Sequence, residues 1–215
     1  MRKRGLTERL LKRAVRARVE LDPKVAERLA AYVALLLRWN VRMNLTALGD
    51  SDRDLDRLVI EPLVAARHLP LRGRLVDIGS GGGSPAIPLQ VVHPCLDVRM
   101  VESKMKKGAF LRDVIRQLGL TRSIVENCRY EELLTRPELH ESQDAVTIRA
   151  VRVEARVLRN LQALVRPGGM LALFRGSGTV DPPRDLQPPL LWEATYPLVE
   201  TLRSRLVLLR KLKIN

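Results

Sequence analysis

The sequence predicts a doubly wound α/β fold, with a mostly parallel sheet and an N-terminal helical extension. Three observations predict it. Residues 1–70 read as helices throughout, and from position 71 short apolar runs alternate with helix-patterned stretches of 8–15 residues. A glycine-dense loop, Gly79-Ser80-Gly81-Gly82-Gly83-Ser84, joins the first apolar run to the next helix. Strands that alternate with helices pair in parallel and are covered on both faces.

Composition bounds the rest. A chain of 215 residues suits one domain with an extension or one larger domain. We divide it into a basic helical extension, 1–70, packed on a core, 71–215. Hydrophobic residues make up 46% and charged residues 29%, which excludes wholesale disorder. The net charge of +14 and pI near 10.8 favour a polyanionic partner, through Coulomb attraction and counterion release. An arginine-rich coding bias is the bland alternative. Aromatics at 3% argue against a binder built on stacked bases, but not against docking on folded RNA through phosphates. Cys95 and Cys128 lie far apart, and His68, His93 and His140 are scattered, so no zinc site is expected. Both cysteines read as reduced thiols of a cytoplasmic protein. The basic N-terminus is followed by no apolar stretch of the kind a signal peptide carries, and the apolar run 30–37 is too short to span a bilayer.

The elements follow in order. Residues 1–20 carry eight Lys/Arg and two Glu, with Leu6, Leu10, Leu11, Val15 and Val19 at helical spacing. This is a basic amphipathic helix: a solvated arm, or a contact to RNA. Asp22-Pro23 opens a second helix with Asp22 as N-cap and an apolar face from Val25 to Trp39, ended by Asn40 and the segment 41–50 that follows it. A third covers 52–68 and should break or kink at Pro62. Strands are expected at 74–78, 97–102, 123–127, 144–151 and 170–174, and helices at 85–92, 104–118 and 153–165. Pro167-Gly168-Gly169 reads as a turn, 178–189 as a proline-rich loop, and 193–198 and 205–209 as late strands.

The glycine loop carries the strongest chemical signal. It lies at the carboxyl end of a strand, where open α/β sheets bind ligands, and its glycines admit close backbone approach. A dinucleotide site normally reads GxGxxG with pyrophosphate at the helix N-terminus. Here Asp77 stands two positions before Gly79 and would repel pyrophosphate, but it would accept hydrogen bonds from the ammonium end of a methionine moiety. That favours S-adenosylmethionine over a nicotinamide. Glu102 ends the second strand, 19 residues after Gly83, where a carboxylate accepts both ribose hydroxyls. Read alone, it is a surface Glu heading a helix. After the third strand, Tyr130 and Glu131 are candidates for the adenine, or simply start a helix.

These residues resemble the bacterial small-subunit rRNA methyltransferases once called glucose-inhibited division protein B, which form 7-methylguanosine in 16S rRNA. The resemblance is carried by Trp39-Asn40 with Asn44-Leu45-Thr46, by DIGSGGGSPAIPL, and by the stretch from Glu102 to Leu111. RYEEL, Ile148-Arg149-Ala150, Arg175-Gly176 and the tail RLVLLRK continue it, over roughly 25–213. It implies a class I S-adenosylmethionine-dependent methyltransferase fold. It also implies cofactor contacts at Gly79, Ser84, Tyr130, Glu131 and Arg149, with Glu102 in the position of the ribose-binding acid; the glycine loop itself adds Gly81 as a cofactor-binding candidate. Arg149 has two readings, the methionine carboxylate or RNA beside the pocket. The chain departs from the pattern at Arg57-Leu58-Val59-Ile60-Glu61-Pro62, which lacks a usual His and Ser, and at Ser84, Ala86 and Arg175.

Guanine N7 carries an in-plane lone pair and no proton. No dedicated acid, base or nucleophile and no metal are therefore expected, and catalysis would rest on alignment. Asp181-Pro182-Pro183-Arg184 is similar to an amino-group methyltransferase motif but lacks its aromatic residue, and reads as a loop. Pro94-Cys95 is similar to a cytosine-C5 nucleophile pair but sits before the wrong strand, so Cys95 reads as structural. RNA contacts are expected from the N-terminal helix, from Lys104, Lys106 and Lys107, and from Arg203, Arg205, Arg210, Lys211 and Lys213. The partner expected is 16S rRNA or the small subunit, met by a monomer, with no DNA or membrane partner. Two alternatives remain: a methyltransferase for a small molecule or protein, and a non-catalytic RNA-binding relative.

Overall fold

Side-chain alternation along the strands sets the layers. In a computed structural model describing residues 3–149, 154–176 and 186–213, seven strands form one sheet in the order β3-β2-β1-β4-β5-β7-β6. They are β1 (Arg72–Ile78), β2 (Cys95–Val101), β3 (Ser123–Glu126), β4 (Gln143–Arg149), β5 (Val165–Arg175), β6 (Leu190–Pro197) and β7 (Arg205–Lys211). The first five pair in parallel, and β7 runs antiparallel to β5 and β6. Strand order reverses between β1 and β4, and ligands bind at the carboxyl ends of strands beside such a switch point.

Each strand supplies two cores, because successive side chains point to opposite faces. Leu75, Met100, Ala172, Phe174, Leu206 and Leu208 join one buried cluster, and Val76, Val146, Ile148, Leu171, Leu173 and Val207 join the other. The first cluster lies under α1 (Lys3–Arg16), α2 (Pro23–Met43), α4 (Glu61–Ala66), α5 (Ala86–Val92) and α6 (Met105–Leu118). The second lies under the short α7 (Tyr130–Leu133) and α8 (Ala155–Leu161).

The N-terminal helices belong to the first core. Leu6 and Leu10 of α1 are buried with Leu29 and Leu36 of α2. The solvated-arm reading of residues 1–20 therefore does not hold for this face, although Val15 stays exposed as α1 ends at Arg16. Each fully buried leucine contributes about 1.5–3 kcal/mol. Asp22 caps α2 as expected, its carboxylate accepting the amides of Lys24 at 2.8 Å and Val25 at 3.2 Å. The helix ends within the expected segment. It runs to Met43, and Asn44 terminates it in a left-handed conformation. The Asn40 side chain accepts the amide of Thr46 at 2.9 Å, stitching the following loop to the helix. Trp39 donates to Asp113 on α6 at 3.0 Å and meets Phe110 edge-on.

Three other expectations are corrected. The stretch 52–68 does not break at Pro62 but passes from α3 (Asp52–Leu55) through a π turn, Asp56–Ile60, into α4. Pro62 lacks an N–H for the carbonyl four residues back, and widening the preceding turn lets the chain continue past it. Helix α8 stops at Leu161 instead of reaching 165, and the Pro-Gly-Gly turn lies inside β5, where Gly168 takes a φ of 75°. Asp181-Pro182-Pro183-Arg184 and Ala150 lie outside the described residues. Cys95 is exposed at the start of β2, beside Arg72, on the edge opposite the switch-point loops. Cys128 is buried.

Leu10→Ala is expected to lower the unfolding free energy by about 2–5 kcal/mol, read from the urea midpoint, because the residue sits in the shared core.

Candidate cofactor site at the strand switch point

The loop after β1 is held from its first residue. The amides of Gly79 and Ser80 both donate to the Val101 carbonyl, at 2.9 and 3.0 Å. The Gly81 amide donates to Glu102 Oε2 at 2.9 Å, and the Lys104 amide to Oε1 at 2.8 Å. Glu102 is thus a buried carboxylate fastened to the glycine loop, not a surface residue heading a helix. Each oxygen keeps a lone pair for a further donor such as a ribose hydroxyl. The Asn127 side chain donates to the Glu102 carbonyl at 2.9 Å and fixes its backbone.

Two glycines are required for different reasons. Gly83 has a φ of 90°, and a Cβ there would stand 2.3 Å from Ile87 Cδ1. At Gly81, φ is 54° and a Cβ would enter open space, with only the Gly79 carbonyl oxygen and Lys107 Nζ within 4 Å. The first glycine serves packing of the loop on α5, and the second leaves room for close approach from outside.

Beneath the loop lies a buried polar group. Asp77 Oδ1 accepts the Thr147 hydroxyl of β4 at 2.6 Å, while Oδ2 is buried with no hydrogen-bond partner. Burial pushes the Asp77 carboxyl above its ordinary value, although the Thr147 bond and the Arg149 charge pull it down, while the Ser80 hydroxyl donates to the Asp77 backbone carbonyl at 3.1 Å. Tyr32, on α2, donates its hydroxyl to the Gly82 carbonyl at 2.6 Å, and burial raises its phenol pKa. Sequence periodicity placed Tyr32 only on an apolar stripe, where nothing marks which partner its hydroxyl takes.

Arg149 ends β4 and is almost fully buried. Its Nη1 donates to Ser84 Oγ at 2.5 Å, and Ser84 Oγ donates to the Leu58 carbonyl at 2.8 Å. Leu58 lies four residues before Pro62, so its carbonyl is the one that proline leaves without an amide donor. Buried Glu61 stands 3.6 Å from Arg149, a charge pair too long for a hydrogen bond, and its Oε2 has no hydrogen-bond partner. Desolvation lowers the Arg149 pKa and the Glu61 charge raises it. The departures at 57–62 and at Ser84 therefore meet in one chain of contacts. Glu61 was not singled out as a site residue; the proline beside it was the available signal.

Gly79, Gly81, Ser84, Glu102 and Arg149 come together at this switch point. Tyr130 and Glu131 open α7 after β3, at the same carboxyl edge of the sheet but two strands away from β1. Glu131 is exposed, and the Tyr130 phenol is raised by partial burial and the neighbouring Glu131 charge.

The arrangement fits a nucleoside joined to an amino acid. A fastened carboxylate with free lone pairs suits vicinal hydroxyls, an unpartnered buried carboxylate oxygen suits an ammonium group, and a buried guanidinium suits a carboxylate.

Asp77→Asn is expected to stabilise the protein while weakening cofactor binding. Burial raises the native pKa of Asp77 above its unfolded value. Its unfavourable contribution is therefore absent below the unfolded pKa and grows as pH rises towards the native one. Thermal melts across pH 4–8 (about the range needed) should show a higher and flatter profile for the variant. Ser84→Ala removes a hydroxyl donor to the Leu58 carbonyl and a partner of Arg149. A loss of about 1–3 kcal/mol is expected in urea titration.

The family model of GidB, rRNA small subunit methyltransferase G, matches residues 25–186. The ribosomal RNA small subunit methyltransferase G 1 of Syntrophobacter fumaroxidans is 40% identical, over 75% of this chain and 74% of its own length. The ribosomal RNA small subunit methyltransferase G of Xylella fastidiosa is 37% identical over 90% of each chain. Among solved structures, a mutant of MtNAS in complex with S-adenosylmethionine matches at a TM-score of 0.59 and 19% identity, over 89% of this chain and 79% of that one. An S-adenosylmethionine-dependent methyltransferase from Aquifex aeolicus matches at 0.53 and 12% identity, over 74% and 93%. At such identities the structural likeness shows the fold, the class I methyltransferase type. With the matched model spanning most of its length, this chain belongs to the GidB family of rRNA small subunit methyltransferases G.

Proposed function

We propose that this protein transfers the methyl group of S-adenosylmethionine to N7 of a guanine in 16S ribosomal RNA. The observation that carries the cofactor side is the glycine loop fastened to Glu102 directly above the buried Asp77 and beside Arg149. The relatives named rRNA small subunit methyltransferase G support the substrate. In this reading Gly79 and Gly81 line the cofactor, and Glu102 accepts the ribose hydroxyls. Tyr130 and Glu131 take the adenine end. Arg149, held by Ser84, faces the methionine carboxylate. Residues 1–70 act as an extension packed on the core, 71–215.

The bound cofactor supplies an electrophilic methyl group on a sulfonium sulfur. Guanine N7 needs no deprotonation to accept it, so the chain's residues act by holding the two reactants in line and excluding water. The substrate is 16S rRNA, free or in the small subunit, met by a cytoplasmic monomer; neither DNA nor a membrane is a partner. Among the described residues no helix is long and apolar enough to cross a membrane, and no three His, Cys, Asp or Glu side chains gather to hold a metal ion.

Calorimetric titration with S-adenosylmethionine, beside Glu102→Ala, tests the pocket. Binding weakened by at least about tenfold in the variant is expected, a difference of ~1.4 kcal/mol. Labelled methyl should then pass to unmodified 16S rRNA or small subunits and appear as 7-methylguanosine. No binding to the wild type would remove the reading. Transfer to a metabolite extract but not to RNA would move it to a small-molecule enzyme.

A further inference from the structure

A second surface sits on the same edge of the sheet as the pocket. It is a groove of about 980 Å³ between α1, the π turn and the segment joining β6 to β7. Strand β7 is antiparallel to β5, so its first residue, Arg205, pairs with the last residue of β5, Arg175. Arg149 pairs with Phe174, and Phe174 with Leu206. The start of β7 therefore lies two strand spacings, about 10 Å, from the pocket arginine.

Six arginines line the groove, Arg13, Arg16, Arg18, Arg67, Arg203 and Arg205, against the carboxylates Asp56 and Glu200. Arg13 is tied to Asp52 and Asp56. Arg67 donates to the Arg18 carbonyl. Arg16, Arg18 and Arg203 are exposed, and no carboxylate among the described residues pairs with them. Arg18 and Arg203 have φ values of 55° and 48°, a conformation that non-glycine residues rarely adopt. Ile60, Val64, Leu198 and Val199 form an apolar floor, which lowers the local dielectric and strengthens the field above it.

The π turn is the wall between groove and pocket. Asp56 and Ile60 line the groove, whereas Arg57 and Glu61 act on Arg149. We propose that this groove holds the sugar-phosphate backbone of the RNA substrate while the target guanine enters the neighbouring pocket. The inference rests on the reading above that the substrate is RNA. Arginine forks bind phosphate oxygens in pairs, and no aromatic side chain lines the groove, so it recognises backbone and shape rather than stacked bases.

The test uses the full chain and in vitro transcribed 16S rRNA. Methyl transfer by the wild type is measured first. Binding is then measured against salt for wild type, for the triple variant Arg16→Ala, Arg18→Ala, Arg203→Ala, and for Arg72→Ala, exposed at the opposite edge of the sheet. The triple variant should bind more weakly, with a log–log salt slope shallower by roughly 2, since each lost phosphate contact removes about 0.7–0.9. Its calorimetric affinity for S-adenosylmethionine should match wild type, which also shows that it folds. Arg72→Ala should keep the wild-type slope.

A triple variant with the wild-type slope would overturn the groove, as would a slope that changes only in Lys106→Ala, Lys107→Ala. Equal competition by duplex DNA, an acidic polypeptide or anionic vesicles at the same salt would also overturn it, leaving a general anion surface. If the wild type transfers methyl and only these results fail, the groove falls and the enzyme reading stands. If the wild type transfers no methyl to RNA, the enzyme reading falls first.

Discussion

A buried guanidinium has to be compensated, and Arg149 draws its partners from two other parts of the chain. Ser84 reaches it from the glycine loop and Glu61 from the helical turn before β1. Breaking one member of a buried charged group costs far more than a surface pair returns. The loop, the end of β4 and the 56–62 turn are therefore held in one geometry, and the position of the pocket depends on it. Pro62 contributes by what it lacks: with no amide proton from it, the Leu58 carbonyl accepts the Ser84 hydroxyl instead.

The same turn explains why cofactor pocket and basic groove adjoin. A π turn carries an extra residue, which rotates the helix face after it and lets neighbouring side chains serve two sides. Asp56 anchors α1 through Arg13 on one side, while Glu61 balances Arg149 on the other. A net charge of +14 gives the whole chain a positive field. The fold concentrates exposed arginines of that field beside the carboxyl ends of the strands, where the chemistry lies.

Asp77 marks a site kept at some expense to stability. A carboxylate oxygen buried without a donor is unfavourable in the empty protein, and an ammonium partner would relieve it. Tyr32 and Thr147 meet their own hydrogen-bonding needs in the same layer, and Glu61 Oε2 beside Arg149 is the second buried carboxylate oxygen of the site without a donor.

Much was determined locally and so was legible in the sequence. The alternation of strands and helices follows from apolar period, the cap at Asp22 from residue chemistry, and the glycine loop from backbone conformations that a Cβ resists. Glu102 at the end of β2 followed from the same spacing. The π turn and the strand through Gly168 were not legible in the sequence, because a local breaker does not say whether the chain stops at it or distorts and continues. Only the tertiary structure decided which polar groups meet. Arg149 and Ser84 are 65 positions apart, Thr147 and Asp77 70, Tyr32 and Gly82 50. No helical or strand period spans such separations; only folding the N-terminal helices and β4 against one loop brings these groups within a hydrogen bond of one another.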